Sequence, residues 1–193
     1  MTIPIILASN SPRRKELLRQ IGLTFTLDPA DVDERIQPHE APDAYAIRVA
    51  CDKARAAAAR ATEGIVIGAD TIVVLEDTVF GKPADARDAE RMLQLLSGRM
   101  HRVITGLAVL DAATGKILTR SATTCVWFKR LSREEIKAYV ESGEPLDKAG
   151  AYGIQGLGAL LVERIEGCYY NVVGLPLSLL GEMLSEFGVD PLS

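Results

Sequence analysis

Apolar residues along the chain follow two spacings, and segments of each kind alternate. Short runs of apolar and β-branched residues at 3–8 and 65–75 predict buried strands. Over 43–61 and 85–97, apolar residues recur every three to four positions, which predicts amphipathic helices. Strands that alternate with helices favour an α/β fold, with a mixed, twisted sheet flanked by helices.

Local signals mark the start of two further helices. Ser11 followed by Pro12 predicts an N-cap with proline at the first helical position. Ser132 followed three residues later by Glu135 has the pattern of a capping box, and Gly143 is a stop signal. We therefore expect one helix after Ser11 and another that runs from Ser132 to the residue before Gly143.

Antiparallel pairing is expected late in the chain. Segments 102–110 and 116–128 have the pattern of a hairpin, and 144–158 is glycine-rich and irregular. Segments 159–165 and 169–173 are predicted to be two more strands joined by a tight turn. A final helix is predicted after them.

Composition adds limits to the kind of protein this is. The 193 residues are 48% hydrophobic and 25% charged, and no stretch has the composition of a linker, so we expect one globular domain over 1–193. The net charge of −4 gives no general attraction to nucleic acid, so no stable nucleic-acid partner is expected. A homodimer stays open, since an apolar dimer surface and a core look alike in a sequence.

Membrane and cysteine signals also exclude some classes. The longest apolar stretch, 65–75, is interrupted by Asp70 and falls short of the ~20 residues of a transmembrane helix. We therefore expect no membrane partner. The three cysteines are far apart and form no metal-binding spacing, which favours reduced thiols and a cytoplasmic protein.

Histidine is scarce, and this restricts the chemistry. His39 and His101 are the two histidines of the sequence and lie far apart, which disfavours a histidine-rich zinc site and a Ser-His-Asp triad. Catalysis would then depend on carboxylates, lysine, arginine and a hard metal ion.

The segment Ser9–Arg14 combines features of an anion site. It lies between a predicted strand and a predicted helix, where free N–H groups carry partial positive charge. Arg13 and Arg14 oppose the helix dipole, so stability alone would favour acidic residues there. Hydroxyls, N–H groups and guanidinium groups at one place suit a phosphate. The alternative is that both arginines are simply solvated.

Asp70 and Lys53 are charged residues in apolar surroundings. Asp70 interrupts a β-branched strand just after Gly68, and a carboxylate there is costly to bury unless it is paired or binds a metal. A metal ligand or a general base is one interpretation, and a strand-end hydrogen bond is the other. Lys53 lies on the apolar face of a helix, where it either extends to solvent or binds phosphate.

Three further places carry weaker signals. Glu34 lies in a polar loop, and Lys82 lies in the stiff turn Gly81–Pro83. For each of them taken alone, a solvated surface residue is the favoured interpretation. The loop 148–158 has four glycines and Gln155, and either approaches a ligand or is a flexible connection. Taken together, the candidate residues supply cationic groups that can bind phosphates and carboxylates that can bind a hard metal ion. This combination favours metal-assisted hydrolysis of a nucleotide phosphoanhydride.

The chain resembles the Maf family of nucleoside triphosphate pyrophosphatases over nearly its whole length. Six motifs in order carry the resemblance: Ser9–Arg14, Val32–Glu34, Asp52–Ala54, Gly68–Thr71, Gly81–Pro83 and Ala149–Gly156. The resemblance implies a fold related to the inosine triphosphate pyrophosphatases, with two lobes around a cleft. It also implies hydrolysis of a nucleoside triphosphate to the monophosphate and pyrophosphate with a divalent cation, Mg²⁺ or Mn²⁺.

The resemblance also assigns roles by position. Asp70 would accept a proton from the attacking water, and Glu34 and Asp70 would hold the metal. The triphosphate would be bound by Ser9, Arg14, Lys53 and Lys82. Arg13, Thr71 and Gln155 match the dTTP/UTP branch of the family, and an amide such as Gln155 can donate to and accept from the edge of uracil or thymine.

Two alternatives remain open at this point. One is a nucleotide-binding regulator, because the family name reflects an association with inhibition of septum formation in cell division. The other is a member that acts on 7-methyl-GTP or on inosine triphosphate.

Overall fold

One mixed sheet runs through the computed structural model of the protein, which describes residues 3–192. Within these residues the strands are β1 (Ile5–Leu7), β2 (Thr26–Leu27), β3 (Ile65–Leu75), β4 (Thr78–Phe80), β5 (Met100–Asp111), β6 (Ile117–Phe128) and β7 (Val162–Glu166). The order across the sheet is β2-β1-β3-β5-β6-β7, and β4 pairs with β3. β1 is parallel to β2 and β3, whereas β4 is antiparallel to β3 and β7 to β6. The predicted α/β fold with a mixed sheet is confirmed.

Six α-helices are found in the described part of the chain. They are α1 (Pro12–Gln20), α2 (Pro42–Ala58), α3 (Ala86–Leu96), α4 (Arg133–Glu141), α5 (Tyr169–Val173) and α6 (Leu177–Ser185). The segment after α4 contains short 3₁₀ turns at Glu144–Asp147, Ala149–Ala151 and Gly156–Leu160. No helix within residues 3–192 combines the length and the apolar character needed to cross a bilayer.

The predicted helix starts are confirmed. Ser11 caps α1, with Pro12 in its first turn. At α4 the capping box is complete: the Ser132 hydroxyl accepts the N–H of Glu135, and the Glu135 carboxylate accepts the N–H of Ser132.

One predicted strand is wrong. The segment 169–173 is the short helix α5, although its aromatic and β-branched residues favour a strand. Tertiary hydrogen bonds decide otherwise: the side-chain amide of buried Asn171 donates to the Val103 carbonyl and to the Thr124 hydroxyl, at 3.0 Å each. The neighbouring prediction of a strand over 159–165 is partly wrong, because β7 begins at Val162 after a 3₁₀ turn.

The chain divides into two compact units. The first comprises Met1–Asp70, Thr105–Ala122 and Gly174–Ser193, and the second comprises Thr71–Ile104 and Thr123–Val173. The single domain over 1–193 stays a prediction.

Each unit has an apolar core of its own. In the first, small and β-branched side chains of β1, α2, β3 and β5 pack together: Ile6, Ala8, Ala50, Cys51, Ala54, Ala57, Val66, Ala108 and Leu110. In the second, larger side chains of α3 and α4 pack on β3, β5 and β6, among them Leu93, Leu96, Val126, Phe128, Ile136 and Tyr152. The small residues of the first core allow α2 to approach the sheet closely.

Candidate active site

The chain leaves β1 through a turn that opens α1. The Ser9 hydroxyl accepts the N–H of Ser11 at 3.2 Å, and the Ser11 hydroxyl accepts the N–H of Arg14 at 3.4 Å. The first turn of α1, which the structure describes in full, contains no acidic residue. Helix N–H groups, two hydroxyls and the arginines Arg13 and Arg14 therefore occur together, which is the chemistry of an anion site.

Arg14 is buried in the first unit with 8% of its surface exposed. Its Nε donates to the Gly174 carbonyl at 2.8 Å, and its Nη1 donates to the Ser9 hydroxyl at 3.3 Å. Burial lowers the pKa of the Arg14 guanidinium, while the negative charge of Asp70 acts to raise it. These two neutral acceptors hold the Arg14 guanidinium in place.

Lys53 holds two carboxylates at one place. Its Nζ lies 2.7 Å from Glu34 Oε1 and 2.8 Å from Asp70 Oδ1. The side chains of Lys53 and Asp70 are each 12% exposed, whereas that of Glu34 is 54% exposed. The Lys53 ammonium is therefore an ion-pair partner within the fold, which decides against simple extension to solvent. The group Glu34, Lys53 and Asp70 is called the carboxylate cluster below.

Close packing of α2 on β3 explains why Lys53 reaches Asp70. A Cβ on Gly68 would lie 2.2 Å from the Ala50 carbonyl oxygen and 2.9 Å from the Ala54 Cβ, so only glycine fits. Gly68 and Asp70 are two residues apart on β3 and so share a face of the strand. The segment that approaches Gly68 closely is the backbone of α2.

Glu34 belongs to a loop that α2 holds. The Tyr45 hydroxyl donates to the Glu34 carbonyl at 2.7 Å, and Arg48 Nη2 donates to the Arg35 carbonyl at 3.0 Å. Arg48 also forms a two-pronged pair with the Glu40 carboxylate, at 2.6 and 2.9 Å. Burial raises the pKa of Tyr45 to about 12, so its hydroxyl stays a donor over the whole neutral range.

The other predicted site residues belong to the second unit. Thr71 lies on β3, Lys82 follows β4, and Gln155 lies in the loop that leads to the third 3₁₀ turn. The N–H of Gly150 donates to the Gly81 carbonyl at 3.0 Å, so the turn of Lys82 and the glycine-rich segment are hydrogen-bonded to each other. The side chains of Lys82 and Gln155 are exposed.

The carboxylate cluster offers donor atoms that suit a metal ion. Among residues 3–192 no group of three or more His, Cys, Asp or Glu side chains could enclose a metal ion. Glu34 and Asp70, however, present hard carboxylate oxygens within hydrogen-bond distance of one nitrogen. Mg²⁺ commonly uses one or two carboxylates and takes its remaining ligands from water and substrate phosphates. The residues present fit an ion of that kind.

Comparison with known proteins shows the family of the chain. The family model described as "Maf-like protein" matches residues 4–187. The chain belongs to the Maf family. The resemblance inferred from the six motifs is therefore confirmed.

Relatives within the family match at nearly full length. A Moorella thermoacetica protein is 54% identical over 186 residues, covering 96% of each chain, and is named dTTP/UTP pyrophosphatase. Relatives with the same name from Geobacter metallireducens and Methanosarcina mazei are 53% and 51% identical. The matches cover 95% and 96% of this chain and 96% and 95% of theirs.

In this Maf protein the structure groups the predicted residues by unit. Five of the predicted residues come from the first unit and are linked by hydrogen bonds, ion pairs or charge interactions: Ser9, Arg14, Glu34, Lys53 and Asp70. Arg13 lies beside Arg14 in the same turn. Thr71, Lys82 and Gln155 belong to the second unit.

Sequence reasoning missed Tyr45 as a support of Glu34. The sequence carries no local signal of this contact, because a tyrosine among the apolar positions of α2 looks like a core residue. The reach of its hydroxyl to a carbonyl eleven residues earlier follows from the folded loop, not from helical spacing.

Proposed function

We propose that this Maf protein hydrolyses dTTP and UTP to the nucleoside monophosphate and pyrophosphate. The observation that carries the proposal is the carboxylate cluster, in which Lys53 joins Glu34 and Asp70, in one unit with the arginine-bearing start of α1. Cationic groups for a triphosphate and carboxylates for water and a metal are what phosphoanhydride hydrolysis requires. The names of the relatives support the same reaction.

The proposed reaction adds water across the α–β phosphoanhydride bond. Asp70 accepts a proton as the water oxygen bonds to phosphorus, and the α–β bond breaks to release pyrophosphate. Lys53 orients the Asp70 carboxylate, since their 2.8 Å contact fixes Oδ1. General-base assistance of this kind contributes about 10²–10⁴-fold to a rate.

Arg14, Ser9, Lys53 and Lys82 are the proposed ligands of the triphosphate. Arg14 is already fixed by the Gly174 carbonyl and the Ser9 hydroxyl, so little side-chain freedom would be lost when a phosphate binds. A fixed guanidinium near the attacked bond stabilises negative charge as it develops.

Glu34 and Asp70 are the proposed ligands of a divalent cation, Mg²⁺ or Mn²⁺. When bound, such an ion would neutralise phosphate charge and lower the pKa of a bound water. Lys53 Nζ contacts both of these carboxylates and would hold them at one place for such an ion.

Base recognition is a further part of the proposal. We propose that Gln155 hydrogen-bonds the O4/N3 edge of uracil or thymine, and that Arg13 and Thr71 contribute to the preference for dTTP and UTP. An amide both donates and accepts, which suits an edge that carries an acceptor and a donor side by side.

Chromatography of reaction products tests the proposal. The protein is incubated with UTP, dTTP, CTP, GTP, inosine triphosphate and 7-methyl-GTP, each with Mg²⁺, with Mn²⁺ or with a chelator. We expect UMP and dTMP with pyrophosphate, and loss of turnover with the chelator. UDP with orthophosphate would show that a different bond is cleaved. Faster turnover of a purine triphosphate would contradict the base assignment, and no turnover at all would contradict the enzyme.

A further inference from the structure

The loop that carries Gln155 is fastened on both sides by two side chains of the second unit. At its start, the N–H of Gly153 donates to the Tyr139 hydroxyl at 3.2 Å. At its end, the N–H groups of Leu157 and Gly158 donate to the Glu144 carboxylate at 2.9 and 3.0 Å. Gln155 itself is exposed between these two fastening points.

Tyr139 and Glu144 are also bonded to each other. The Tyr139 hydroxyl donates to Glu144 Oε1 at 2.9 Å, so one hydroxyl and one carboxylate join both sides of the loop. Burial raises the pKa of Tyr139, which keeps the hydroxyl a donor. Burial also acts to raise the pKa of Glu144, but the N–H groups of Gly158 and Leu157 outweigh it and lower that pKa, which keeps the acceptor ionised.

Glycines inside the loop fit around these groups. Gly156 has a φ of +62°, and a Cβ there would lie 2.6 Å from Glu144 Oε2. A Cβ on Gly158 would lie 2.0 Å from the Gly153 carbonyl oxygen and 2.7 Å from the Tyr139 hydroxyl. The two ends of the loop thus touch each other, and neither Gly156 nor Gly158 leaves room for a larger residue.

We propose that Glu144 and Tyr139 are positioning residues that set the base selectivity of the enzyme. They do so by holding in place the Gly153–Gly158 loop, which carries Gln155. The inference rests on the proposed function and on the role given there to Gln155. Because the backbone of the loop is held at both ends, the Gln155 side chain extends from a fixed position. Less conformational freedom is then lost when a nucleotide binds. Neither residue is expected to touch the reacting phosphates.

The matched variants are Glu144→Gln and Glu141→Gln, with Tyr139→Phe as the second test. The Glu144 carboxylate accepts three hydrogen bonds, from two N–H groups and one hydroxyl. In Glu144→Gln an NH₂ group replaces one carboxylate oxygen, so one of these contacts is lost because two donors then face each other. Tyr139→Phe keeps the buried ring and removes only the hydroxyl. Glu141 is the control, since its side chain is 66% exposed and its recorded ion pair is with Lys137 on the same helix.

We expect Glu144→Gln and Tyr139→Phe to raise KM for UTP roughly tenfold and to lower the UTP-to-CTP ratio of kcat/KM by a similar factor, with kcat changed about threefold at most. Glu141→Gln should match the wild type. Hydrogen exchange at 153–158 should be faster in the first two variants. A purely structural role would lower Tm and leave KM and the substrate ratio of the folded enzyme unchanged, which would overturn the inference.

Failure of the proposed function gives a different result. If the wild type does not hydrolyse UTP, the proposed function fails, and the positioning role is then judged by calorimetric binding of UTP against CTP. Weaker UTP binding in Glu144→Gln and Tyr139→Phe but not in Glu141→Gln would support the inference. A wild type without a preference for UTP over CTP, or variants that keep that preference, would overturn it.

Discussion

The carboxylate cluster of the first unit and the Glu144 site of the second unit hold acidic side chains in opposite ways. In the cluster, Glu34 and Asp70 both contact one side-chain cation, the Lys53 ammonium. At the other site, Glu144 accepts from two backbone N–H groups and a hydroxyl. A side-chain cation can be exchanged for a metal or a phosphate contact, whereas backbone N–H groups remain where the fold places them.

This difference separates groups available for chemistry from groups that maintain structure. Pairing charges with charges in a partly buried place adds little stability on balance, because desolvation offsets much of the attraction. Backbone-bonded carboxylates and helix caps stabilise directly. Substitutions of Asp70 and Lys53 should therefore change activity more than stability, and substitution of the Ser132 cap should do the reverse.

The largest expected effect is loss of activity in Asp70→Asn. An amide cannot accept the proton of the attacking water, so kcat should fall by at least ~10²-fold. The fold should remain, since Lys53 keeps its 2.7 Å contact with Glu34. Steady-state kinetics and thermal unfolding measure the two, with the exposed Asp77→Asn as control. Activity near that of the wild type would remove Asp70 from the role of general base.

Lys53→Met should impair both binding and stability. KM for UTP should rise at least roughly tenfold because a phosphate ligand is lost. The free energy of unfolding should fall by about 2 kcal/mol, less than a fully buried pair would lose, because Glu34 is half exposed and Asp70 keeps some solvent contact. Lys137→Met, at a 70% exposed lysine, is the matched control. An unchanged KM would mean that Lys53 serves only the fold.

His101 of the second unit makes stability depend on pH. It is buried, its Nε2 lies 2.7 Å from the Tyr152 hydroxyl, and burial lowers its pKa from 6.5 to about 4. The unfolded chain therefore binds a proton between these values and the folded chain does not. Stability is then full above pH 6.5 and declines as the pH falls toward 4.

Denaturant unfolding at several pH values checks this. Between pH 6.5 and 4 the wild type should lose about 3 kcal/mol more than His101→Gln, which cannot titrate. Activity of the two proteins at pH 8 should be similar. Parallel pH profiles for both proteins would show that His101 does not cause the decline.

Substitutions of the two helix caps should give the smallest effects, and they compare the same kind of residue in the two units. Ser132→Ala removes one half of a complete capping box and should lower the free energy of unfolding by about 1 kcal/mol, with kcat/KM unchanged. Ser11→Ala should cost less stability, since its contact with the Arg14 N–H is longer at 3.4 Å, but should raise KM for UTP a few-fold. Equal effects of both substitutions on KM would erase the distinction between the two helix starts.

The sequence predicted well those features that depend on near neighbours. The strand β3 and the caps of α1 and α4 involve residues only a few positions apart, so their patterns are complete within a short window. The helix α5 was missed because its residue types favour a strand, while Asn171 and its distant partners Thr124 and Val103 decide the local structure. Neither partner is visible in the sequence window around Asn171.

The candidate site shows the same limit. The sequence marked Asp70 and Lys53 as charged residues in apolar surroundings and Glu34 as a weaker candidate, and each also had an ordinary interpretation. What joins them is the passage of α2 directly over Gly68, which places Lys53 Nζ within 2.8 Å of both carboxylates. Tyr45 had no local signal for its contact with the Glu34 backbone.

By itself, the amino-acid sequence determined the α/β class, the helix starts and, through six ordered motifs, the Maf family. Only the tertiary structure decided that Lys53 is bonded to two carboxylates and that Glu144 and Tyr139 fasten the loop of Gln155. The physical reason is range: caps and periodicity act over a few residues, whereas ion pairs and loop closure depend on how distant segments pack.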